Sequence, residues 1–308
     1  MSRRFESCRG RVIHLVSVLG ALCLSFSPIF ARLAETQPAA NAFFRTFYAL
    51  PVLFVIHRLF RDRDRRPPSA RRLAVAAGAF LGLDLVTWNH AMGKIGAALA
   101  TLLANTQVIF VGLGAWMIYR ERPHARSFAT IPIVLLGVGL VSGLGRNDSY
   151  GSDPVEGIVL GIFTAVAYSC FILGIRAANS GHLAPSVSPL LDATAGAAVA
   201  SLLVGLVSGG LEVPDSIGSH GWLLAQALGA QVVGWLLISH ALPRLAGLET
   251  ALILLIQPAL AVVWARLILD ERLSWVQLLG VAMVLAGVTY LGWRGSVSAS
   301  SEPVVEPG

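Results

Sequence analysis

The stretch TLLANTQVIFVGLGAWMIYRERPHARSFATIPIVLLGVGLVS, Thr101 to Ser142, decides how the chain is read. It holds an apolar run, a charged turn (Tyr119-Arg120-Glu121-Arg122-Pro123) and a second apolar run. The same unit returns from Ala251 to Gly292, its turn now Leu269-Asp270-Glu271-Arg272-Leu273. At a constant offset of 150 residues, with no gap, Gln107 falls on Gln257, Ala115 on Ala265, Ile118 on Ile268, Glu121 on Glu271 and Arg122 on Arg272. Val134, Leu135, Gly137 and Val138 fall on Val284, Leu285, Gly287 and Val288, and His90, Ala91 and Lys94 on His240, Ala241 and Arg244. Shared leucines say little in so apolar a chain. Shared Gln, His and Glu-Arg at one offset mark a duplicated module.

Of the 308 residues, 55% are hydrophobic and 13% charged, about half the charged fraction of a soluble domain. The apolar residues fall in runs long enough to span the ~30 Å of a bilayer's hydrocarbon at ~1.5 Å per helical residue. The net charge of +6 sits mostly in short loops between these runs, so it does not point to nucleic acid. Cys8, Cys23 and Cys170 are scattered and form no CxxC pair, which argues against a disulfide framework or a zinc site.

Ten spans follow: Val12–Ala31, Asn41–Leu59, Leu73–Met92, Gly96–Tyr119, Phe128–Leu144, Gly157–Ala177, Ser188–Ser208, Trp222–Leu242, Thr250–Leu269 and Trp275–Trp293. All are expected to be helical, because lipid offers open backbone groups no partner. The expected class is thus an all-α integral membrane protein of ten transmembrane helices, built as two inverted five-helix repeats. Residues 1–11 form a basic arm, 12–144 the first repeat, 157–293 the second and 294–308 a disordered tail. The first span is too long for the core of a signal peptide, and further spans follow it.

The loops orient the chain. One side collects the N-terminal arm, Arg58–Arg72, Arg120, Arg122, Arg126, Arg176, Arg244 and Arg294; the other holds Arg32, Lys94, Arg146, Arg266 and Arg272. The bias of roughly three to one makes the first side cytoplasmic, with both termini inside a plasma (inner) membrane. Five spans per half is an odd number, so the second half enters upside down. Such inverted repeats are a build of secondary transporters, with the solute bound near the midplane.

The unit Leu267-Ile-Leu-Asp-Glu271-Arg-Leu-Ser-Trp-Val-Gln277-Leu-Leu-Gly280, continuing to Leu285-Ala-Gly287-Val288, resembles the end of an EamA-type repeat of the drug/metabolite transporter superfamily. Tyr119-Arg-Glu121-Arg with Leu135-Leu-Gly137-Val138 repeats it, and Asn41-Ala-Phe-Phe-Arg45-Thr-Phe-Tyr-Ala-Leu-Pro51 is similar to the Arg-bearing second helix of members. The resemblance implies gradient-driven export or exchange of a small metabolite such as an amino acid. The second-half counterpart of Arg45 is Asp192, so the halves differ there.

An ionisable group inside a membrane must be paired or face a water cavity. Asp84, ~12 Å from the outer end of its span, is the leading candidate for a solute ammonium or a proton. Trp88, Asn105, Gln107, Tyr168, Trp235 and Gln257 are candidates for the cavity wall, and Arg45, His90 and His240 for gating or coupling. Arg45 and Asp84 sit at similar depths and are expected to pair, while Asp192 is at the opposite depth and cannot pair with Arg45 directly. Pro258 removes a helix donor beside Gln257. Glu121 and Glu271 are read as capping the next helix, and Gly137, Gly280 and Gly287 as close-packing positions at the periphery or between subunits.

No HExxH, GxSxG or phosphate-binding loop occurs in the sequence, so neither an enzyme nor an ATP-driven pump is expected, and no cofactor or metal. The expected partners are a small-molecule solute and the lipid bilayer, with no nucleic acid, in a monomer or homodimer. An importer of a nucleoside-like cofactor, an exporter of cationic drugs and a non-transporting membrane sensor are the alternatives.

Overall fold

The computed structural model describes residues 2–121, 125–141, 153–179, 186–268 and 274–298, and every regular element among them is helical. Arg122, Arg146, Glu271, Arg272 and the tail from residue 299 lie outside the described residues. The helices are α1 (Ser2–Ser25), α2 (Ser27–Ala34), α3 (Pro38–Leu59), α4 (Pro68–Asn105), α5 (Gln107–Tyr119), α6 (Ala125–Val141), α7 (Pro154–Ala178) and α8 (Val187–Ser208). They continue with α9 (Ile217–Gln226), a π-helical stretch Ala227–Gly234, α10 (Trp235–Ala241), α11 (Gly247–Leu254), α12 (Ile256–Ile268) and α13 (Trp275–Ser298). The basic arm is thus the start of α1, and α13 runs five residues past Trp293.

Local signals set several helix starts. Proline stands in the first turn of α2, α3, α4 and α7, where its missing N–H costs nothing. Asp153 caps α7 by accepting from the Glu156 N–H at 3.2 Å, and Ser216 caps α9 through the Ser219 N–H at 2.9 Å. Seven helical segments are long and apolar enough to cross a membrane, from Val12–Ala34 to Gly247–Ile268; Phe128–Leu140 and Trp275–Gly287 are shorter apolar helices. The protein is therefore a multi-pass membrane protein.

Helix α4 holds 38 residues. A straight helix would set Thr87 and Leu103 ~24 Å apart. Yet α7 meets both within one turn: Thr164 hydrogen-bonds Thr87 at 2.7 Å, and Gly161 lies against the Leu103 side chain. Further along α7, Gly174 touches Ala77 while Ser169 donates to the Gln107 carbonyl at 3.2 Å. So α7 runs antiparallel to the chain up to Lys94 and parallel to the chain after it. The chain folds back near Lys94 and Ile95, where Asp153 N–H reaches the Lys94 carbonyl and Gly157 packs on Ile95.

The two halves interlock rather than forming separate bodies. Helix α1 packs on α10 as α7 packs on the first part of α4, and α3 packs on α9 and the π-helical stretch as α8 packs on α4. Helix α3 packs on α8 and α6 on α13, each on its own counterpart. Exchanging the halves leaves this contact pattern unchanged, as a two-fold relation between repeats requires. The α6–α13 contact uses Gly137 against the Gly280 carbonyl and Gly287 against Val134, so these glycines join the two halves within one chain.

The closest approach is between α4 and α8. A Cβ on Gly78 would lie 1.8 Å from the Ala193 carbonyl oxygen, and one on Gly196 would lie 2.1 Å from that of Val75. Backbone faces backbone there, and no flexible side chain can yield. Gly78→Val is expected to lower the thermal midpoint in detergent by the equivalent of about 3 kcal/mol or more, while Gly221→Ala, with open space around it, leaves the midpoint unchanged. A Gly78→Val protein as stable as the wild type overturns this packing.

Candidate functional site

A cavity of about 500 Å³ opens among α1–α5, α7, α10 and α11–α13. Its wall includes Asp84, Trp88, Asn105, Gln107, Tyr168, Trp235 and Gln257, together with Arg45. It runs from Arg32 and Gln277, near the helix ends on the face bearing Lys94, to Trp235 and Tyr168 in the middle of the bundle. Trp235, 1% exposed, packs edge-on against Phe171 at 4.7 Å and Tyr168 at 6.2 Å. Beyond this aromatic floor the space is filled by Leu53, Ile172, Ile175 and Leu252. His90 and His240 are exposed at helix ends outside the cavity wall, and the His90 Nδ1–H donates to the Val86 carbonyl at 2.9 Å.

Interrupted helices bring the polar groups together. α4 gives way to α5 at Thr106, and α11 to α12 at Leu255, adjacent positions in the two repeats. At the first break the Thr106 hydroxyl donates to the Leu103 carbonyl at 2.5 Å, a side-chain bond that bends helices. At the second, Pro258 has no N–H for the Leu254 carbonyl. The bends let both Asn105 and Gln107 reach the cavity, although two residues apart on a straight helix face different ways. Gln107 is 2% exposed, and its Oε1 has no hydrogen-bond partner among the described residues. Gln257 and Tyr168 share the cavity wall.

Arg45, 7% exposed, donates from Nη2 to the Gln231 Oε1 at 3.0 Å and from Nη1 to the Ser27 hydroxyl at 3.3 Å. Gln231 donates onward to the Thr194 hydroxyl at 3.2 Å, and Gln226 donates to the Ser27 hydroxyl at 3.0 Å. The guanidinium is thus turned toward the π-helical stretch, a distortion common at functional sites. Sequence reading missed Ser27, Thr194, Gln226 and Gln231. The signal was available, since two amides in the apolar run Trp222–Leu242 need partners in lipid. Asp84, 9% exposed, has no hydrogen bond or ion pair to its carboxylate among the described residues, and no ion pair joins it to Arg45. Gln231→Leu removes one of Arg45's two acceptors, and a drop in stability of about 1–3 kcal/mol is expected in thermal unfolding. An unchanged midpoint would place the Arg45 charge on other partners.

Two clusters tie the helix ends on the opposite face. Glu121 accepts from Arg176 Nη2 at 2.5 Å and from the Gly247 N–H at 3.0 Å. Glu121 therefore caps α11, a helix of the other half, rather than the next helix. Arg176 also donates to the carbonyls of Leu242 and Leu245, at 3.2 and 3.0 Å, and lies over the Tyr119 ring at 4.6 Å. In the second cluster Arg66 bridges Asp64 and Asp192, each at 2.9 Å. Burial pushes the Asp64 carboxyl up, but the Arg66 hydrogen bonds and the charges of Arg66 and Arg71 outweigh it and hold Asp64 below its ordinary value. A depressed folded-state value stabilises fully above the unfolded-state value and is lost as pH falls through the folded one. Asp64→Asn is therefore expected to lower the thermal midpoint at neutral pH, and its difference from wild type to shrink below about pH 4. A difference independent of pH would show that the carboxylate charge contributes nothing.

A multi-pass helical bundle whose interlocked halves enclose a largely apolar cavity with a few polar groups in its wall fits a transporter in class. The model of the EamA-like transporter family matches residues 11–143 and again 155–293, and the chain belongs to that family. "Uncharacterized transporter YcbK" of Bacillus subtilis (strain 168) is 22% identical over 307 residues, 94% of each chain. "Probable amino-acid metabolite efflux pump" of Escherichia coli (strain K12) is 26% identical over 219 residues, 67% of this chain and 72% of the relative. A solved structure titled "Crystal structure of protein" superposes with a TM-score of 0.75 at 17% identity, covering 92% of this chain and 98% of its own, which shows the shared fold. The family and these relatives are transporters, not enzymes.

Proposed function

We propose that this protein is a secondary active transporter that exports or exchanges a small amine-bearing metabolite, such as an amino acid, by alternating access. The observation that carries the reading is Asp84: a carboxylate on the cavity wall, buried within the bundle, with no ion pair among the described residues. A lone charge at that depth costs several kcal/mol, and a solute ammonium or a proton relieves the cost. Arg45 lines the same cavity with its guanidinium held by Gln231 and Ser27, and Trp88 and Trp235 supply apolar walls. A volume of about 500 Å³ lies within the range of small-molecule sites.

The fold-back at Lys94 supports counting the part of α4 before it as a pass of its own; added to the seven long helical segments, of which Ala100–Tyr119 takes in the rest of α4, and the two shorter helices, this makes ten spans in two inverted five-span repeats. The arginine content of the face with Arg61–Arg72, Arg120 and Arg244 supports placing that face, and both termini, in the cytoplasm. The cavity then opens outward, and the Glu121–Arg176 cluster closes the inner side. A monomer suffices for this cycle, since both halves of the site lie in one chain.

The test is flux in proteoliposomes, using radiolabelled amino acids, nucleosides and polyamines, with and without a pH gradient. Uptake of one class is expected, falling at least about tenfold in Asp84→Asn for loss of a charged contact while the folded fraction is unchanged. Flux that survives Asp84→Asn would reduce Asp84 to a structural residue, and no flux of any amine would overturn the proposed solute class.

A further inference from the structure

The segment joining α3 to α4 is the most strongly charged surface of the described chain. Between Arg58 and Arg72 stand seven arginines and two aspartates. Arg58, Arg61, Arg63, Arg65, Arg71 and Arg72 are all exposed. Asp64 is consumed internally by Arg66, its side chain 3% exposed, which leaves Asp62 as the one exposed acid of the segment. Arg58, Arg61, Arg63, Arg65 and Arg72 make no ion pair among the described residues.

The segment is held in place. Arg66 fastens it to Asp192 of α8 at 2.9 Å, a 3₁₀ turn covers Arg61–Arg63, and Pro67 and Pro68 stiffen its exit. Its depth can be read from its apolar neighbours. Leu59, Phe60 and Leu73 are exposed immediately beside the arginines, at 74%, 39% and 42%. Such side chains belong in the acyl region, so the guanidinium groups one turn away lie at headgroup level. Arg58 lies over the Phe54 ring at 5.5 Å and Arg63 over the Phe60 ring at 5.6 Å, which keeps these long side chains along the bundle wall. Guanidinium forks match phosphate oxygens in pairs.

We propose that this surface binds the phosphodiester headgroups of anionic phospholipids, with the lipid tails lying along the exposed ends of α3 and α4. The charge complementarity names the partner: a net-negative headgroup finds a fixed array of forks, whereas a zwitterionic headgroup brings its own cation against the same arginines. The site is separate from the cavity, and its lipid preference does not depend on which solute the cavity takes.

The experiment is native mass spectrometry of the purified full chain in detergent, titrated with phosphatidylglycerol or phosphatidylcholine. The comparison protein is the quadruple variant Arg61→Gln, Arg63→Gln, Arg65→Gln and Arg72→Gln, which leaves the Asp64–Arg66–Asp192 cluster intact. Wild type is expected to retain phosphatidylglycerol over phosphatidylcholine, and the variant to lose at least about tenfold in that affinity, given the contribution of each basic residue at a membrane surface. The variant's thermal midpoint without added lipid should equal that of wild type. Equal retention of both lipids, or anionic retention unchanged in the variant, overturns the proposal. Displacement of phosphatidylglycerol by millimolar inorganic phosphate also overturns it, by showing a free-phosphate site.

Discussion

The structure depends on the contact between the backbones of α4 and α8. Lipid tails are as apolar as leucine, so helices in a membrane are not driven together by escape from water. What holds them is close packing, and that demands the removal of side chains. Gly78 and Gly196 do this at the points where Ala193 and Val75 present their carbonyls. One helix comes from each half, so this contact also fastens the repeats to each other. Gly174 continues it by admitting Ala77 to α7. Further along α4, Gly82 still admits the Ala197 carbonyl, and Asp84 follows two residues later with its side chain on the cavity wall. The tight part of the bundle and the open part are successive turns of the same helix, and the site lies where one becomes the other.

The low dielectric of the bilayer sets the second constraint. A guanidinium as buried as Arg45 needs acceptors, and it finds them in Gln231 and Ser27, which are held in turn by Thr194 and Gln226. Four helical segments converge on one cation, which fixes the position of α2 relative to the π-helical stretch. Asp84 receives no such support. Among the described residues the guanidinium of Arg45 has its acceptors within the protein, while the carboxyl of Asp84 lies on the cavity wall.

Much of this was legible in the sequence, and the reason is physical. Lipid tolerates so few polar groups that each one inside a span must have a purpose, so Asp84, Gln107, Tyr168 and Gln257 could be picked out one at a time. The repeat was legible because Gln, His and Glu-Arg do not recur at one offset by composition. What stayed hidden depended on backbone geometry. A straight helix puts Asn105 and Gln107 on different faces, and only the bend at Thr106 reconciles them. One acceptor of Arg45, Gln231, lies 186 residues away in sequence, beyond any local pattern. Glu121 reads as the cap of the following helix because sequence shows neighbours, whereas its carboxylate reaches the N–H of Gly247 across the two halves. The fold-back at Lys94 was read as a loop between two spans, and the structure makes it without leaving helical geometry.

The family matches begin at residues 11 and 155, and Arg32 and Arg176 stand equally far into them. They are the same residue of the repeat at opposite ends of the bundle, yet their surroundings differ. Arg176 is 7% exposed, clamped by Glu121 and the carbonyls of Leu242 and Leu245. Arg32 is exposed at the mouth of the cavity. Where the repeat's arginine is clamped, the ends of α5, α7 and α11 are drawn together and the bundle is filled. At the other end, Arg32 lines the cavity. Inverted repeats can exchange such states because each half already contains the residues the other is using. In the proposed transport cycle the Glu121–Arg176 clamp opens at its face, while the α4–α8 contact need not break.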